Sequence, residues 1–272
     1  MVNIVFDIGG SKMRVARVVG EEIFDEPLSI ATPQNPEEGV ALLAKLSLEV
    51  AGGESIDKVA GGVAAVFDEE KSKIVNSSNL KEWVGLDIKK EFSKHSSAQL
   101  IVDNDSSVVG LGESIFGAGK DYKIVVYMTV STGVGGSRFI DGRPDEGKFG
   151  FEPGHQILNI ETRETLEDLV SGAAFKRRFD VEPYEITDKE VWNKAARDLA
   201  MGLHNSILHW SPEVVMLGGP MIVGDPAIPI EAVRKELRDT MKIFTDIPEL
   251  KKAQLQDYGG LYGGLVLISN QN

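Results

Sequence analysis

Two segments of the sequence share one pattern: a β-rich run, a short tip that contains glycine, and a second β-rich run. The first copy has the tip Gly9-Gly10, and the second has the tip Ser131-Thr132-Gly133. The β-rich runs are Val2–Ile8, 13–19, 122–130 and Val134–Ile140. Each copy predicts a β-hairpin with a tight turn. A chain that contains this unit twice is expected to fold as two similar halves with a cleft between them.

Helical and extended segments alternate after each hairpin. Apolar residues recur at helical spacing in 36–51 and over a longer stretch in 188–210. The other predicted strands are 22–30, 58–67, 99–103 and 214–217, and the other predicted helices are 106–116, 231–241 and 261–268. With 272 residues, the chain is long enough for two domains that each bury a core. The sequence therefore predicts an α/β fold of two domains with a boundary near residues 116–121.

The charge balance excludes some classes of partner. Lys and Arg together number 29 and Asp and Glu 42, which gives a formal net charge of -13. Such a chain is repelled by nucleic acid and by anionic membranes, so neither is an expected partner. The absence of cysteine excludes disulfides and cysteine-bound zinc. Neither a basic leader nor a membrane-length apolar run is present, and we expect a cytoplasmic protein.

The first hairpin carries groups that can hold phosphate. Asp7 ends the first strand, and Gly9, Gly10, Ser11 and Lys12 follow it. Residues without Cβ let phosphate approach backbone amides, and the carboxylate can hold Mg²⁺ through water. The same residues are also typical of a plain Gly-Gly turn, so this segment alone leaves both interpretations open.

The second hairpin offers a similar set of groups. Ser131, Thr132 and Gly133 supply hydroxyls and amides, and Gly218-Gly219 follows a buried strand. Ligands of open α/β sheets bind at such strand ends. A tight turn and a common strand-end Gly-Gly are the alternatives. Phosphate loops in both halves are nevertheless expected if a nucleotide lies between two domains.

Asp103-Asn104-Asp105 follows a predicted strand and precedes a helix. Phosphoryl transfer to an alcohol needs a carboxylate within hydrogen-bond reach of the hydroxyl, and Asp105 fits that role. The alternative role for Asn104 or Asp105 is to cap the helix.

Further polar residues suit the recognition of sugar hydroxyls. Glu152, His155 and Glu167 offer carboxylates and an imidazole, and Asn79 lies in a polar turn. Taken singly, a structural histidine, a surface charge on a helix and a turn asparagine are the simpler interpretations.

Together these segments resemble the ROK family of bacterial and archaeal sugar kinases, and the resemblance runs nearly end to end. The matching segments are 7–14, 79–83, 104–113, 129–136, 152–155 and 214–219. The resemblance implies an actin-like ATPase (ribonuclease H-like) fold of two domains with an interdomain cleft. A small domain of residues 1–117 would be completed by a C-terminal helix at 259–272, and residues 118–258 would form the large domain.

The resemblance also implies roles for individual residues. Asp105 would take the proton from the 6-hydroxyl, and Asp7 would lie near Mg²⁺. The sugar contacts would be Asn79, Asn104, Glu152, His155 and Glu167. The ATP-binding residues would be Asp7, Gly9, Gly10, Ser11, Lys12, Ser131, Thr132, Gly133, Gly218 and Gly219.

Three departures from the family pattern stand out. Many members bind zinc through cysteines just after the histidine, but this chain has no cysteine, so zinc is not expected. Ser131 stands where the second phosphate loop usually has glycine, and Pro220 removes an amide near the expected adenosine site. The zinc-free branch of the family includes glucokinases that use polyphosphate, which keeps that donor open.

We therefore expect an ATP-dependent kinase for the 6-hydroxyl of a hexose, with glucose as the expected sugar. The alternatives are kinases for fructose, mannose, allose or an N-acetylated hexosamine, and a non-catalytic sugar-binding or regulatory protein. An actin-like or chaperone-like ATPase would share both loops but would not need the sugar-binding residues. Family members are commonly dimers, so a homodimer is expected.

Overall fold

The computed structural model describes residues 1–20, 23–145 and 150–270. Glu22, the first residue of one predicted strand, lies outside these ranges, as do Gln271 and Asn272 of the predicted C-terminal helix. The chain divides into two compact units. Unit 1 comprises Met1–Ile115 with Leu255–Asn272, and unit 2 comprises Phe116–Gln254.

The strands and helices alternate along both units. The strands are β1 (Val2–Ile8), β2 (Lys12–Arg17), β3 (Leu28–Ala31), β4 (Ile56–Val63), β5 (Val66–Phe67), β6 (Ile74–Asn76), β7 (Gln99–Asn104), β8 (Ile124–Val130), β9 (Val134–Ile140), β10 (Arg143–Pro144), β11 (Val214–Gly218) and β12 (Glu249–Lys252). The helices are α1 (Pro36–Ala51), α2 (Ile88–Phe92), α3 (Asp105–Ile115), α4 (Leu166–Val170), α5 (Gly172–Phe179), α6 (Lys189–Trp210), α7 (Pro220–Val223), α8 (Ile230–Thr240) and α9 (Gly259–Ser269). Short 3₁₀ turns lie at Lys81–Trp83, Pro153–His155, Pro183–Glu185 and Gln256–Tyr258.

The two units have sheets of the same design. The strand order is β3-β2-β1-β4-β7 in unit 1 and β10-β9-β8-β11-β12 in unit 2. In each sheet the two hairpin strands are antiparallel. On its other side, the first hairpin strand pairs in parallel with a third strand, which is β4 in unit 1 and β11 in unit 2. The prediction of two similar halves, each opening with a hairpin, is confirmed at the level of topology.

Each sheet is covered by helices that bury an apolar face. In unit 1, α1 begins at the cap Asn35, whose side chain accepts from the amide of Glu38, and it ends at Gly52 in the left-handed region. In unit 2, the long helix α6 buries Trp192, Leu199 and Leu203 against the sheet. Among the helices in the described ranges, none combines the length and the apolar character needed to cross a bilayer.

The structure corrects the predicted strand at 58–67. β4 ends at Val63, and β5 begins a separate two-stranded sheet at Val66. The break lies at Ala64 and Ala65, whose carbonyls accept from the side chains of Ser77 and Asn104 instead of from a neighbouring strand. Side-chain hydrogen bonds to the backbone end the ladder here, and sequence periodicity does not show them.

Helices α3 and α9 pack against each other at very short distance. A Cβ atom at Gly263 of α9 would lie 1.9 Å from the carbonyl oxygen of Val108 in α3. Only glycine allows this approach, because a backbone carbonyl cannot move away as a flexible side chain can. The sequence of α9, with four glycines in its first six residues, is therefore a packing surface despite its low helix propensity.

We predict that Gly263→Ala lowers the free energy of unfolding by about 3 kcal/mol, because overpacking of a tight contact forces the backbone to shift. Urea denaturation at pH 7 measures this change. Gly20→Ala is the matched control, since a Cβ there would meet its nearest atom, Ile23 Cβ, at 4.0 Å. Equal midpoints for the two variants would contradict the tight contact.

Candidate functional site

The hairpin of unit 1 holds an ion pair next to its tip. Asp7 and Arg14 face each other across β1 and β2 in the antiparallel register. Arg14 Nη1 lies 3.1 Å from Asp7 Oδ2, and Nη2 lies 2.7 Å from Asp257 Oδ2. Both side chains of the Asp7–Arg14 pair are only 15% exposed. Arg14 therefore joins the first phosphate motif to the segment that leads into α9.

Burial raises the pKa of Asp7 to about 6. The negative charge of Asp105 adds to this rise, and Arg14 opposes it. Desolvation is thus stronger than the ion pair at this position. Asp7 is a carboxylate whose ionised form gains from any further cation that comes close to it.

Asp105 is the first residue of α3, at the carboxyl end of β7. Its Oδ1 accepts from the amide of Ser106 at 2.8 Å, the backbone amide of Asp105 itself also interacts with the carboxylate, and no side chain in the described ranges donates to it. Burial raises the pKa of Asp105 above its usual value. The site for this residue depends on Gly62 of β4, because a Cβ at Gly62 would lie 2.9 Å from the Asp105 Cα.

Asn104, not Asp105, caps the helix. Its Oδ1 accepts from Ser106 Oγ at 2.6 Å and from the amide of Ser107 at 3.1 Å. Its Nδ2 donates to the carbonyl of Ala65 at 3.0 Å, which leaves one amide hydrogen for another partner. Asn104 thus fills the capping role, and no side chain in the described ranges donates to the Asp105 carboxylate.

The tip of the first hairpin uses its carbonyls and leaves two amides free. The carbonyl of Gly9 accepts from Thr32 Oγ1 at 2.8 Å, and that of Gly10 accepts from Gln34 Nε2 at 3.2 Å. In a trans peptide the following N–H points the opposite way, so the amides of Gly10 and Ser11 point away from these partners. In the described part of the chain, no group accepts from either amide. Two adjacent free N–H groups form an anion-binding concavity.

The tip of the second hairpin has the same arrangement. The carbonyl of Ser131 accepts from the amide of Gly172 at 2.7 Å, and that of Thr132 accepts from Ala173 at 3.2 Å. The amides of Thr132 and Gly133 therefore point away from the start of α5, and no group in ranges 1–20, 23–145 and 150–270 accepts from them. Ser131 does not need to be glycine, because its own amide donates to the carbonyl of Gly133 at 2.8 Å without a left-handed backbone.

Gly218-Gly219 lies beside this second tip. Gly219 has φ +84°, and a Cβ there would lie 2.3 Å from the carbonyl oxygen of Val130, the last residue of β8. Pro220 is the first residue of α7, a position whose amide has no partner within the helix. The proline thus costs the helix no hydrogen bond.

Unit 2 also brings Glu152, His155 and Glu167 together. Partial desolvation raises the pKa of Glu152, the nearby His155 opposes the rise, and the charge of Glu167 adds to it. The turn that carries His155 packs on β9, since a Cβ at Gly154 would lie 2.3 Å from the carbonyl oxygen of Val134.

The predicted site residues thus form two groups. In unit 1, Asn79 lies against the first tip, its Cβ 2.6 Å from where a Cβ of Gly10 would be, and Lys12 begins β2. The unit 1 group is Asp7, Gly9, Gly10, Ser11, Lys12, Asn79, Asn104 and Asp105. The unit 2 group is Ser131, Thr132, Gly133, Glu152, His155, Glu167, Gly218 and Gly219. Sequence reasoning missed Arg14 as the partner of Asp7 and Asp257 as the second partner of Arg14. The hairpin register could have identified Arg14, whereas nothing in the sequence indicates Asp257.

A model of the ROK family matches residues 3–271. The chain belongs to the ROK family. It is 28% identical to the glucokinase of Thermotoga maritima, with 97% of this chain and 96% of that protein covered. It is 25% identical to the N-acetyl-D-glucosamine kinase of Mannheimia succiniciproducens, with 97% and 98% covered.

A solved structure of the same family has a similar fold. The glucokinase of Streptomyces griseus, in complex with glucose and AMPPNP, superposes with a TM-score of 0.81 at 22% identity, with 98% of this chain and 99% of that chain covered. The prediction of an actin-like ATPase fold is confirmed. This chain has no cysteine and therefore lacks the cysteine zinc motif found in other members of the family.

The first tip fits a magnesium-bound triphosphate. Asp7 offers a buried carboxylate, and the free amides of Gly10 and Ser11 offer donors to phosphate. Within the described ranges, no three His, Asp or Glu side chains gather into a protein-only metal site. Mg²⁺ in kinases needs only one or two carboxylates, because water and substrate phosphates supply the other ligands.

We predict that the stability of Asp7→Asn rises relative to the wild type between pH 4 and pH 6.5. The pKa of Asp7 in the folded protein, about 6, lies above its ordinary value of 3.8, so the folded state binds the proton more tightly. The wild type therefore loses stability as the pH rises through this window, and the variant lacks that loss. The change in the difference should reach about 2 to 3 kcal/mol.

Urea unfolding of both proteins without divalent cations, repeated at several pH values, measures the difference. Loss of the ion pair to Arg14 changes its absolute value, so the slope with pH is the quantity to compare. A flat difference, or one that falls with pH, would show that Asp7 has an ordinary or lowered pKa.

Proposed function

We propose that this protein transfers the terminal phosphoryl group of ATP to the 6-hydroxyl of a hexose, with Asp105 as the general base. The main support is the state of the Asp105 carboxyl, which accepts from backbone amides at the start of α3 and from no side chain among the described residues, so that acceptor capacity is left for a hydroxyl. A general base in phosphoryl transfer needs such capacity within reach of the hydroxyl. The similarity to sugar kinases over nearly the whole chain supports the same reaction class.

The protein's own groups would act as follows. Asp105 accepts the proton of the 6-hydroxyl while the sugar oxygen forms its bond to the terminal phosphorus and the bond to the leaving ADP oxygen breaks. The raised pKa of Asp105 brings its basicity closer to neutrality, which favours proton acceptance. The amides of Gly10, Ser11, Thr132 and Gly133 hold phosphate oxygens. Asp7 would hold Mg²⁺, directly or through water, and the ion would supply charge neutralisation to the phosphates.

The proposed sugar contacts are Asn79, Asn104, Glu152, His155 and Glu167. Carboxylates, amides and imidazole pair well with hydroxyls, which both donate and accept. Gly9, Lys12, Ser131, Gly218 and Gly219 complete the proposed nucleotide-binding set. Glucose is the proposed sugar, and the similarity to an N-acetyl-D-glucosamine kinase makes that sugar the first alternative.

Further parts of the proposal concern the protein as a whole. We place it in the cytoplasm as a homodimer, with a small domain of residues 1–117 completed by helix 259–272 and a large domain of residues 118–258. The acidic charge of -13 disfavours nucleic acid as a partner.

We predict that Asp105→Asn lowers kcat by about two to four orders of magnitude and changes the KM for the sugar much less, because the amide cannot accept the proton. A coupled assay of ADP formation measures both. Asp103→Asn is the matched control, since Asp103 lies two residues away but pairs with Lys71 at 2.7 Å. Undiminished turnover in Asp105→Asn would remove this residue from the mechanism.

We predict that glucose with Mg·ATP gives the highest kcat/KM in a panel of glucose, N-acetylglucosamine, mannose, fructose and allose. ³¹P NMR of the product identifies the 6-phosphate. The same panel with polyphosphate tests the alternative donor. Sugar binding without turnover on either donor would favour the non-catalytic regulatory role instead.

A further inference from the structure

Glu167 makes a hydrogen bond that sugar recognition does not require. Its Oε2 accepts from the backbone amide of Val134 at 2.7 Å. Val134 is the first residue of β9 and pairs with Val130 to close the second hairpin. The carboxylate thus holds the base of the second phosphate loop, residues 131–133.

The helix that carries Glu167 is itself fixed. Thr165 and Asp168 form a reciprocal capping box at its start, so Glu167 takes no part in the capping. Leu166 is fully buried and packs against Gly202 of α6, where a Cβ would lie 2.5 Å from it. Glu167 therefore starts from a rigid position rather than from a mobile loop.

The loop is shaped around this carboxylate. A Cβ at Gly133 would lie 2.6 Å from Glu167 Oε2, so glycine is required for the carboxylate to come this close. The backbone groups of the loop then have defined partners, namely Gly172, Ala173, Gly133 and Glu167, apart from the amides of Thr132 and Gly133. Without Glu167, the amide of Val134 would lose its partner and compete for the same anion or water.

Glu167 also faces the other polar residues of unit 2. The negative charge of Glu167 contributes to the raised pKa of Glu152. The carbonyl of Val134 lies against Gly154, in the turn that carries His155. The peptide groups of Val134 are thus held from one side by Glu167 and packed from the other by this turn.

We propose that Glu167 is the positioning residue of the second phosphate loop: its bond to the Val134 amide keeps the amides of Thr132 and Gly133 directed at the phosphate donor, whether or not a sugar is present. This inference rests on the proposed function, because it takes the second loop as a phosphate site. It assigns to Glu167 a role that sugar contact alone does not give.

The test is the affinity for Mg·AMPPNP measured by calorimetry without any sugar. We expect Glu167→Ala to raise the Kd about tenfold, since a charge-assisted hydrogen bond that orders the loop is lost. Glu167→Gln keeps an acceptor oxygen without the charge, so its Kd should rise about threefold. Glu161→Ala is the matched control, because Glu161 is an exposed carboxylate in the segment before α4 and outside the proposed site, and its Kd should stay within twofold of the wild type.

Amide hydrogen exchange supplies a readout that does not depend on ligands. The Val134 amide should exchange at least tenfold faster in Glu167→Ala than in the wild type, and at the wild-type rate in Glu161→Ala. Melting curves check the folding of each variant, and if the alanine variant does not fold, the glutamine variant carries the test. Unchanged Kd and unchanged Val134 exchange in a folded Glu167 variant would overturn the inference.

The two proposals fail in different ways. A wild type that does not bind Mg·AMPPNP would overturn the proposed donor, and exchange at Val134 would then decide the role of Glu167 in loop geometry. If the wild type binds the nucleotide, and the Glu167→Ala variant binds it equally well with unchanged Val134 exchange, only the inference about Glu167 is overturned.

Discussion

Phosphate binding, in the proposed function, depends on how the backbone hydrogen bonds are distributed at two hairpin tips. At each tip the carbonyls are bound, by Thr32 and Gln34 in unit 1 and by the start of α5 in unit 2. Because a trans peptide directs its C=O and N–H oppositely, the partners of the carbonyls decide where the amides point. Two successive amides at each tip are left for an anion. An acidic chain thereby obtains local positive potential from backbone amides, in addition to the side chain of Lys12 beside the first tip.

The carboxylates of unit 1 show a competition between desolvation and pairing. Arg14 pairs with Asp7, yet the pKa of Asp7 still rises to about 6, so burial outweighs the ion pair. Arg14 also pairs with the exposed Asp257, so its guanidinium stabilises the charge of Asp7 less than it would in an exclusive pair. Arg14 offsets only part of the cost of burying the Asp7 charge. A metal cation that binds next to Asp7 would stabilise its ionised form further, so this carboxylate is suited to a site for metal-bound phosphate. Removal of Arg14 would instead leave a buried charge without compensation.

The sequence predicted most of what depends on local pattern. The hairpins, the long helix α6 and the strand that leads to Asp105 follow from periodicity and turn residues. Sequence reasoning could not separate the capping role from the chemical role in Asn104-Asp105, because that choice depends on which side chain turns back to the amide of Ser107. It also missed short elements such as α7 and β12, which tertiary packing stabilises. The strand predicted over 58–67 was wrong because Ser77 and Asn104, distant in sequence, end the ladder.

Backbone hydrogen bonding also explains why Ser131 and Pro220 can replace the residues usual in the family. A phosphate loop built from amides depends on conformation more than on side chains, so a residue may change wherever its φ is ordinary and its own amide is not used for the ligand. Ser131 meets both conditions, since its amide is bound to the carbonyl of Gly133. Gly133 does not, because its own amide is one of those left for the ligand, and the Glu167 carboxylate also occupies the space of a Cβ. The positions that cannot vary in such a loop are therefore those where another group contacts the backbone. In this protein, the contacting groups are Glu167 and the start of α5, which lie outside the hairpin.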